Sequence, residues 1–374
     1  MTLYAGLMSG TSLDGVDGVL VDWPSNDDAT FRLVAHVHQA FADPLRSELL
    51  ALNVAGSNEL HRAAVAANAL ARDYAQTVHR LIQSSGAPPA SVRAVGAHGQ
   101  TVRHNPVVDG GPGYSLQLLN AALLAETCGI DVVCDFRSRD IAAGGQGAPL
   151  VPAFHAARLA VPGVSQAVLN LGGIANLTLL AGDGHLGGFD CGPGNMLMDL
   201  WIQKHRGCAF DADGSWAASG RVIPALLQRM LADPYFDRAP PKSTGRELFN
   251  ADWLAAAVAS VGPAGHAPED VQATLAELTA RSAGDALSRH LPGAGLLHVC
   301  GGGARNAYLL GRLAALLPRL TVQTTAAAGL PVDQVEAVAF AWLARAFVSR
   351  VPGNRPEVTG AAGARILGSL YPAR

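Results

Sequence analysis

Cysteine is scarce and poorly spaced for bridging. The five residues (Cys128, Cys134, Cys191, Cys208, Cys300) are an odd number without a C-x-x-C pair, which argues against both a disulfide framework and a zinc site. We expect reduced, mostly buried thiols. Net charge is equally slight: 27 Lys and Arg against 30 Asp and Glu give −3, so no basic stripe is available for nucleic acid or an anionic membrane. No apolar run reaches the ~20 residues of a membrane span. Residues 1–20 lack a basic n-region followed by a cleavage site, so the expected location is cytoplasmic. No segment is repetitive enough to be low-complexity, and His104 and His155 stand without metal-ligand spacing. What the chain does have is 49% hydrophobic residues and 42 glycines in 374 residues. That is a globular chain with a substantial core, long enough for two domains.

Residues 2–8, 17–23 and 31–39 read as three consecutive strands, 43–53 and 58–84 as helices, and 93–97, 114–118 and 131–134 as strands with a helix near 119–128. The order is βββαβαβ. It starts again at 166: strands at 166–170, 177–180 and 186–189, helices at 195–206, 221–232 and 268–291, strand 295–300, helix 305–317, strand 320–324 and a long amphipathic helix at 332–350. A duplicated order of this kind predicts an α/β fold of two domains facing one another across a cleft. The Gly-, Pro- and charge-rich loops 104–113, 138–149 and 237–246 are candidates to line it.

Each half opens with a glycine hairpin. In the first, Gly10, Thr11, Ser12, Leu13, Asp14, Gly15, Val16 and Asp17 offer main-chain N–H groups and hydroxyls to a phosphate, with Asp14 and Asp17 suited to one that carries Mg²⁺. In the second half, Gly172-Gly173 is the equivalent turn, and Gly301-Gly302-Gly303 opens a helix. An ordinary polar turn and a flexible strand-to-helix connection are the plain alternatives, and no single turn decides between them. Asp190 ends a strand before Gly192-Pro193-Gly194-Asn195, where it can be a general base or cap the following helix. His98-Gly99-Gln100-Thr101 and Asp135-Phe136-Arg137 also end strands. Arg137 suits a substrate carboxylate and Thr101 or Gln100 sugar-like hydroxyls, with loop ion pairs and capping as the alternative. Glu336, among Val335, Ala337, Val338 and Phe340, sits at a helix edge or in a site.

With Met8–Asp17, Gly99-Gln100-Thr101, Asp135-Phe136-Arg137, Asn170–Asn176, Asp190–Asn195, Pro241–Glu247 and Cys300–Asn306 in order over essentially its whole length, the chain closely resembles the anhydro-N-acetylmuramic acid kinases. The resemblance implies the duplicated actin-like (ribonuclease H-like) sugar-kinase fold, with residues 1–136 plus about 352–374 as one domain and 137–351, with helical insertions, as the other. It implies ATP and Mg²⁺ as cofactors, Gly10–Asp17 and the Gly172 and Gly301 turns on the nucleotide, and Asp190 as catalytic base. Thr101, Arg137 and Glu336 would lie near the sugar. The implied reaction opens the 1,6-anhydro ring with water while O6 receives the γ-phosphoryl group, in recycling of cell-wall sugars. An ordinary hexose or amino-sugar kinase, or a non-catalytic sugar-sensing regulator, are the competing expectations; no basic helix-turn-helix precedes the first strand, which speaks against the last. The resemblance and the apolar final helices also imply a homodimer. Two positions depart from the family pattern: Cys191 stands where threonine is expected, and Leu119 where glycine is expected, which bears on substrate preference.

Overall fold

The computed structural model describes residues 2–10, 12–24, 30–246, 248–262 and 265–373. Along the chain the strands are β1 (Leu3–Met8), β2 (Gly15–Asp22), β3 (Arg32–Ala40), β4 (Val92–Ala97), β5 (Gln100–Val108), β6 (Gly111–Leu118), β7 (Val132–Cys134), β8 (Gln166–Leu171), β9 (Ile174–Leu180), β10 (Leu186–Pro193), β11 (Leu296–Cys300), β12 (Thr321–Thr324) and β13 (Ser369–Tyr371). They fall into two compact units, residues 1–159 with 334–374, and residues 160–333.

The first unit carries a sheet in the order β13-β7-β4-β1-β2-β3, and the second one in the order β12-β11-β8-β9-β10. In each, the opening strand pairs antiparallel with its successor and parallel with the strand on its other side. The duplicated α/β order expected from the sequence is therefore present. Each unit has its own apolar core. Leu3, Leu7, Leu20, Leu70, Tyr74 and Leu81 belong to that of the first, and Leu169, Leu177, Met230, Phe249, Leu275 and Leu309 to that of the second.

Compactness places the division at 159/160 and 333/334, against the boundaries near 136 and 351 that the resemblance implies. The helices Ser138–Ala142, Val151–Leu159 and Val335–Val348 pack with the first unit. The reason for the last is visible in two glycines. Gly6 of β1 and Gly96 of β4 are in register with one another, and a Cβ on either would run into the main chain of the helix, at the Ala337 and Phe340 carbonyls respectively. Glycine weakens a strand on its own; here it lets the helix lie main chain against sheet. The helix is apolar on nearly all sides, with ten of its residues buried, as a helix enclosed by its own domain should be.

The segment expected as a loop at 104–113 is mostly strand. β5 and β6 form a two-stranded ribbon whose turn residues Asp109 and Gly110 have φ of 52° and 77°. Asp-Gly is the pair that supplies positive φ at both central positions of such a hairpin. The signal was in the sequence, masked by Pro106 and Pro112 on either side. Residues 138–142 are helical, while 238–245 have no regular structure, in keeping with the loop expected there.

Candidate functional site

In the first unit β1 ends at Met8 and the chain turns through Gly10 to Asp14. Leu13 N–H donates to the Gly10 carbonyl at 3.2 Å, Leu13 takes a positive φ of 57° and buries its side chain, so the turn is pinned from below. Ser12 Oγ donates to Asp14 Oδ1 at 2.8 Å on the exposed side. Thr11 lies outside the described residues. Gly15 and Val16 are buried in β2, the former because Gln39 and Ala40 of β3 leave no room for a Cβ. Asp17, half-buried on β2, accepts from His38 Nδ1 (3.0 Å) and lies 3.4 Å from His36 Nε2. Burial pushes its carboxyl up, but the histidine hydrogen bonds outweigh that and leave it below the ordinary value.

Behind the turn the polar groups are buried and tied together. Ser9 Oγ is 2.7 Å from the Tyr74 hydroxyl and donates to the Gly99 carbonyl. Gln100 Nε2 donates to the Gly10 carbonyl at 3.1 Å, and its Oε1, buried, has no partner among the described residues. Thr101 Oγ1 accepts from Gln117 Nε2 at 3.2 Å. Arg137 donates from Nη1 to the Gly147 carbonyl (2.8 Å) and from Nη2 to His98 Nε2 (2.9 Å). Desolvation pushes its guanidinium down to about 10, against the pull of Glu336 and Asp140. Burial raises the Glu336 carboxyl, with Arg137 opposing and Asp17 adding to the rise. Glu336 is thus no solvated helix edge. It stands in the electrostatic field of Arg137 and Asp17, so the first unit gathers most of its expected site residues in one region. Leu119, the departure from the family pattern, packs against the first unit's core.

The second unit builds its turn differently. Gly194 N–H and Asn195 N–H donate to the Gly173 and Gly172 carbonyls at 2.9 and 2.8 Å, and Asn195 Nδ2 donates to the Leu171 carbonyl at 2.9 Å. The β8–β9 turn is therefore stitched to the end of β10. Gly301 and Gly303 close in from β11: a Cβ on Gly301 would meet Asn170 and Leu171, and one on Gly303 would meet Leu171 and Asn195. Gly302–Arg305 form a short 3-10 turn, and the helix Ala307–Leu316 is capped by Asn306, so this connection is packed and ordered.

Asp190 lies on β10 where the pairing with β9 slips: Asp190 faces Asn176 and Gly192 faces Ala175, leaving Cys191 as the extra residue. Such a bulge re-aims neighbouring side chains. The Cys191 thiol is buried and donates to the Ala175 carbonyl at 3.2 Å, so it makes a hydrogen bond at the position where the resemblance implies threonine. The helix Met196–Arg206 takes Asn195 as its N-terminal flank, so Asp190 does not cap it. Its carboxylate Oδ2 accepts from Thr244 N–H at 3.0 Å instead. Its main chain is gripped on both sides, N–H to the Lys242 carbonyl at 3.2 Å and carbonyl from the Tyr235 hydroxyl at 2.6 Å. The Lys242 ammonium sits 4.8 Å from the Tyr235 ring centre and donates to the Tyr235 and Phe236 carbonyls. In the sequence Lys242 and Thr244 stand out only as part of Pro241–Glu247, and nothing in Pro234-Tyr235-Phe236 announces Tyr235.

Four of the expected nucleotide glycines, Gly10, Gly172, Gly173 and Gly302, share one property. None has a left-handed φ, and a Cβ on each would meet nothing closer than 3.6 Å. Neither their backbone nor their described neighbours require glycine. At each such position, where a Cβ would fit but is missing, the main chain is left open to close approach. Among the described residues no cluster of three or more His, Cys, Asp or Glu could by itself hold a metal ion, and no helix is long and apolar enough to cross a membrane.

The profile of the anhydro-N-acetylmuramic acid kinase family matches residues 2–373. The anhydro-N-acetylmuramic acid kinase of Variovorax paradoxus (strain S110) is 57% identical, with 99% of each chain covered. That of Bordetella petrii is 56% identical over 99% of this chain and 96% of its own. Among solved structures, component A of the (R)-2-hydroxyglutaryl-CoA dehydratase of Acidaminococcus fermentans superposes with a TM-score of 0.49 at 11% identity, covering 92% of this chain and 100% of that one. On the full-length match and the level of identity, this chain belongs to the anhydro-N-acetylmuramic acid kinase family.

Proposed function

We propose that the protein opens the 1,6-anhydro ring of 1,6-anhydro-N-acetylmuramic acid with water and transfers the γ-phosphoryl group of ATP to O6, yielding N-acetylmuramic acid 6-phosphate and ADP. The observation that carries the reading is Asp190: a carboxylate at a β-bulge that accepts from the Thr244 main-chain N–H and whose own main chain is fixed on both sides. Asp190 takes a proton from water as the water oxygen bonds to C1. The C1–O6 bond breaks, O6 bonds to the γ-phosphorus, and the bond from that phosphorus to the ADP oxygen breaks. One carboxylate suffices, because phosphoryl transfer takes the place of the acid that an inverting glycosidase uses to protonate the leaving oxygen.

On this reading the Gly10–Asp17 turn of the first unit, and Gly172, Gly173, Gly301, Gly302 and Gly303 of the second, hold the nucleotide phosphates. Asp14 and Asp17 would hold Mg²⁺, which one or two carboxylates and substrate phosphates commonly share. The ion offsets phosphate charge when bound. Arg137 offers its guanidinium to the lactyl carboxylate of the sugar, and Thr101 and Glu336 bind sugar hydroxyls. We also infer a cytoplasmic homodimer, from the same family likeness.

The test is incubation with Mg²⁺-ATP and the anhydro sugar in ¹⁸O-labelled water, with N-acetylmuramic acid and N-acetylglucosamine as controls. A 6-phosphorylated product carrying one ¹⁸O, formed from the anhydro sugar alone, is expected. Phosphorylation of the open sugars without label would make this an ordinary sugar kinase and put a substrate hydroxyl in place of water at Asp190.

A further inference from the structure

The buried hydrogen bonds of the first unit assign a state to His98. Arginine has donors and no acceptor, so the 2.9 Å contact between Arg137 Nη2 and His98 Nε2 requires Nε2 to be unprotonated. Its other nitrogen, Nδ1, is 3.1 Å from the Ser9 carbonyl, which is an acceptor, so Nδ1 carries the proton. Burial, followed by the Arg137 charge, pushes His98 down to about 3, in agreement with a neutral ring. The ring cannot swing away. Phe340 lies against it with centroids 4.8 Å apart, and Phe340 is one helical turn beyond Glu336 on the helix that Gly6 and Gly96 admit so closely.

Both ends of this bridge are themselves fixed. Ser9 is buried and held through Oγ by Tyr74 and Gly99. The other acceptor for Arg137, the Gly147 carbonyl, belongs to a residue whose N–H donates to Asp140 Oδ2 at 2.8 Å. A carbonyl and a neutral imidazole orient the guanidinium without cancelling its charge.

We propose that His98 is a positioning residue: in its Nδ1–H tautomer it registers the Arg137 guanidinium on the Ser9 main chain, so that the sugar-side arginine and the glycine turn keep one spacing. This rests on the reading of Arg137 as the group that meets the sugar carboxylate. Two isosteres separate the two halves of the bridge. In His98→Gln the amide oxygen can still accept from Arg137; in His98→Asn the amide nitrogen can still donate to Ser9, but the arginine loses its acceptor.

Steady-state kinetics with the anhydro sugar and ATP provide the experiment. His98→Asn is expected to raise KM for the sugar about tenfold or more, the usual scale for a hydrogen bond to a charged group, and to leave KM for ATP within about twofold. His98→Gln is expected to recover most of the sugar affinity. In an Arg137→Ala background His98→Asn should add nothing, because the partner through which it acts is gone. Equal effects of the two isosteres, or a His98→Asn effect that persists without Arg137, would overturn the proposal, since a purely structural histidine behaves that way. Wild-type protein inert toward the anhydro sugar would overturn the functional reading and this role with it; wild-type turnover with unshifted variants overturns the role alone. If a variant does not fold, ¹⁵N spectra of the wild-type imidazole decide: an Nδ1–H neutral ring at pH 7 supports the assignment, and an Nε2–H or charged ring rejects it.

Discussion

The turn after β1 and the turn after β8 hold the same place in the same sheet order, yet they are fastened by different means. The first is fastened from behind, by a buried Leu13, by Gln100 on the Gly10 carbonyl and by the Ser9–Tyr74 pair. The second is fastened from the side, by N–H groups of Gly194 and Asn195 on its own carbonyls. Through His98 the first is tied to Arg137, and through the end of β10 the second is tied to Asp190. The repeated strand order thus carries two main-chain turns, one linked by hydrogen bonds to Arg137 and the other joined through β10 to Asp190. Each glycine turn is a fixed point to which a distant side chain is referred.

The largest effect that could break this comparison is at Asp190. Asp190→Asn should lower kcat by about 10²–10⁴-fold with an unchanged melting temperature; retained turnover would remove the base from the second unit. Next comes Arg137→Ala, expected to raise KM for the sugar by roughly 10–100-fold with less effect on KM for ATP; the reverse pattern would assign Arg137 to the nucleotide. The glycines then offer a contrast within one turn. Gly172→Ala should leave stability unchanged or raise it by about 0.4–1 kcal/mol, because its backbone and neighbours tolerate a Cβ, yet weaken ATP binding. Gly303→Ala should destabilise by about 1–3 kcal/mol through its collision with Leu171 and Asn195. Thermal melts beside ATP titrations read both. Tyr235→Phe, which removes the hydroxyl on the Asp190 carbonyl, should cost about 1 kcal/mol and reduce kcat several-fold.

The smallest effect is in pH. Burial, and then the Asp211 charge, push Asp199 up to about 7. A carboxyl raised in the folded state binds a proton that the unfolded chain has already released, so its contribution to stability is full below pH ~4 and is lost as pH rises to about 7. Asp199→Asn should flatten the decline of stability across that window, a difference of about 1 kcal/mol at pH 8 after allowing for solvent screening. Denaturant titrations at pH 5 and pH 8 measure it; parallel wild-type and variant curves would show that Asp199 carries no such load.

The strands and their order were legible because alternation and glycine punctuation are local properties. The expected strands at 2–8, 17–23 and 31–39 correspond to β1, β2 and β3 within two residues. Less legible was which unit a helix joins. Val335–Val348 follows the second unit in sequence and packs with the first, and the two glycines that admit it are some 240 to 330 residues earlier in the chain. Asp190 and Arg137 could be singled out as candidates because each lies at the end of an expected strand, and Glu336 because it interrupts an apolar stretch. Tyr235, Lys242 and Thr244 could not, because two of their contacts run through main-chain groups or a ring face, which no residue type announces.

Asp140, wholly buried, also accepts from Asn354 Nδ2 and Thr359 Oγ1. During synthesis on the ribosome these partners emerge only after the entire second unit, as do the helix Val335–Val348 and strand β13. The first unit, although begun first, is therefore finished last. A nascent chain stalled before residue 334 carries the whole second unit with Asp190 and has His98, Gly147 and Arg137, but lacks Phe340 against the His98 ring and Asn354 and Thr359 on Asp140.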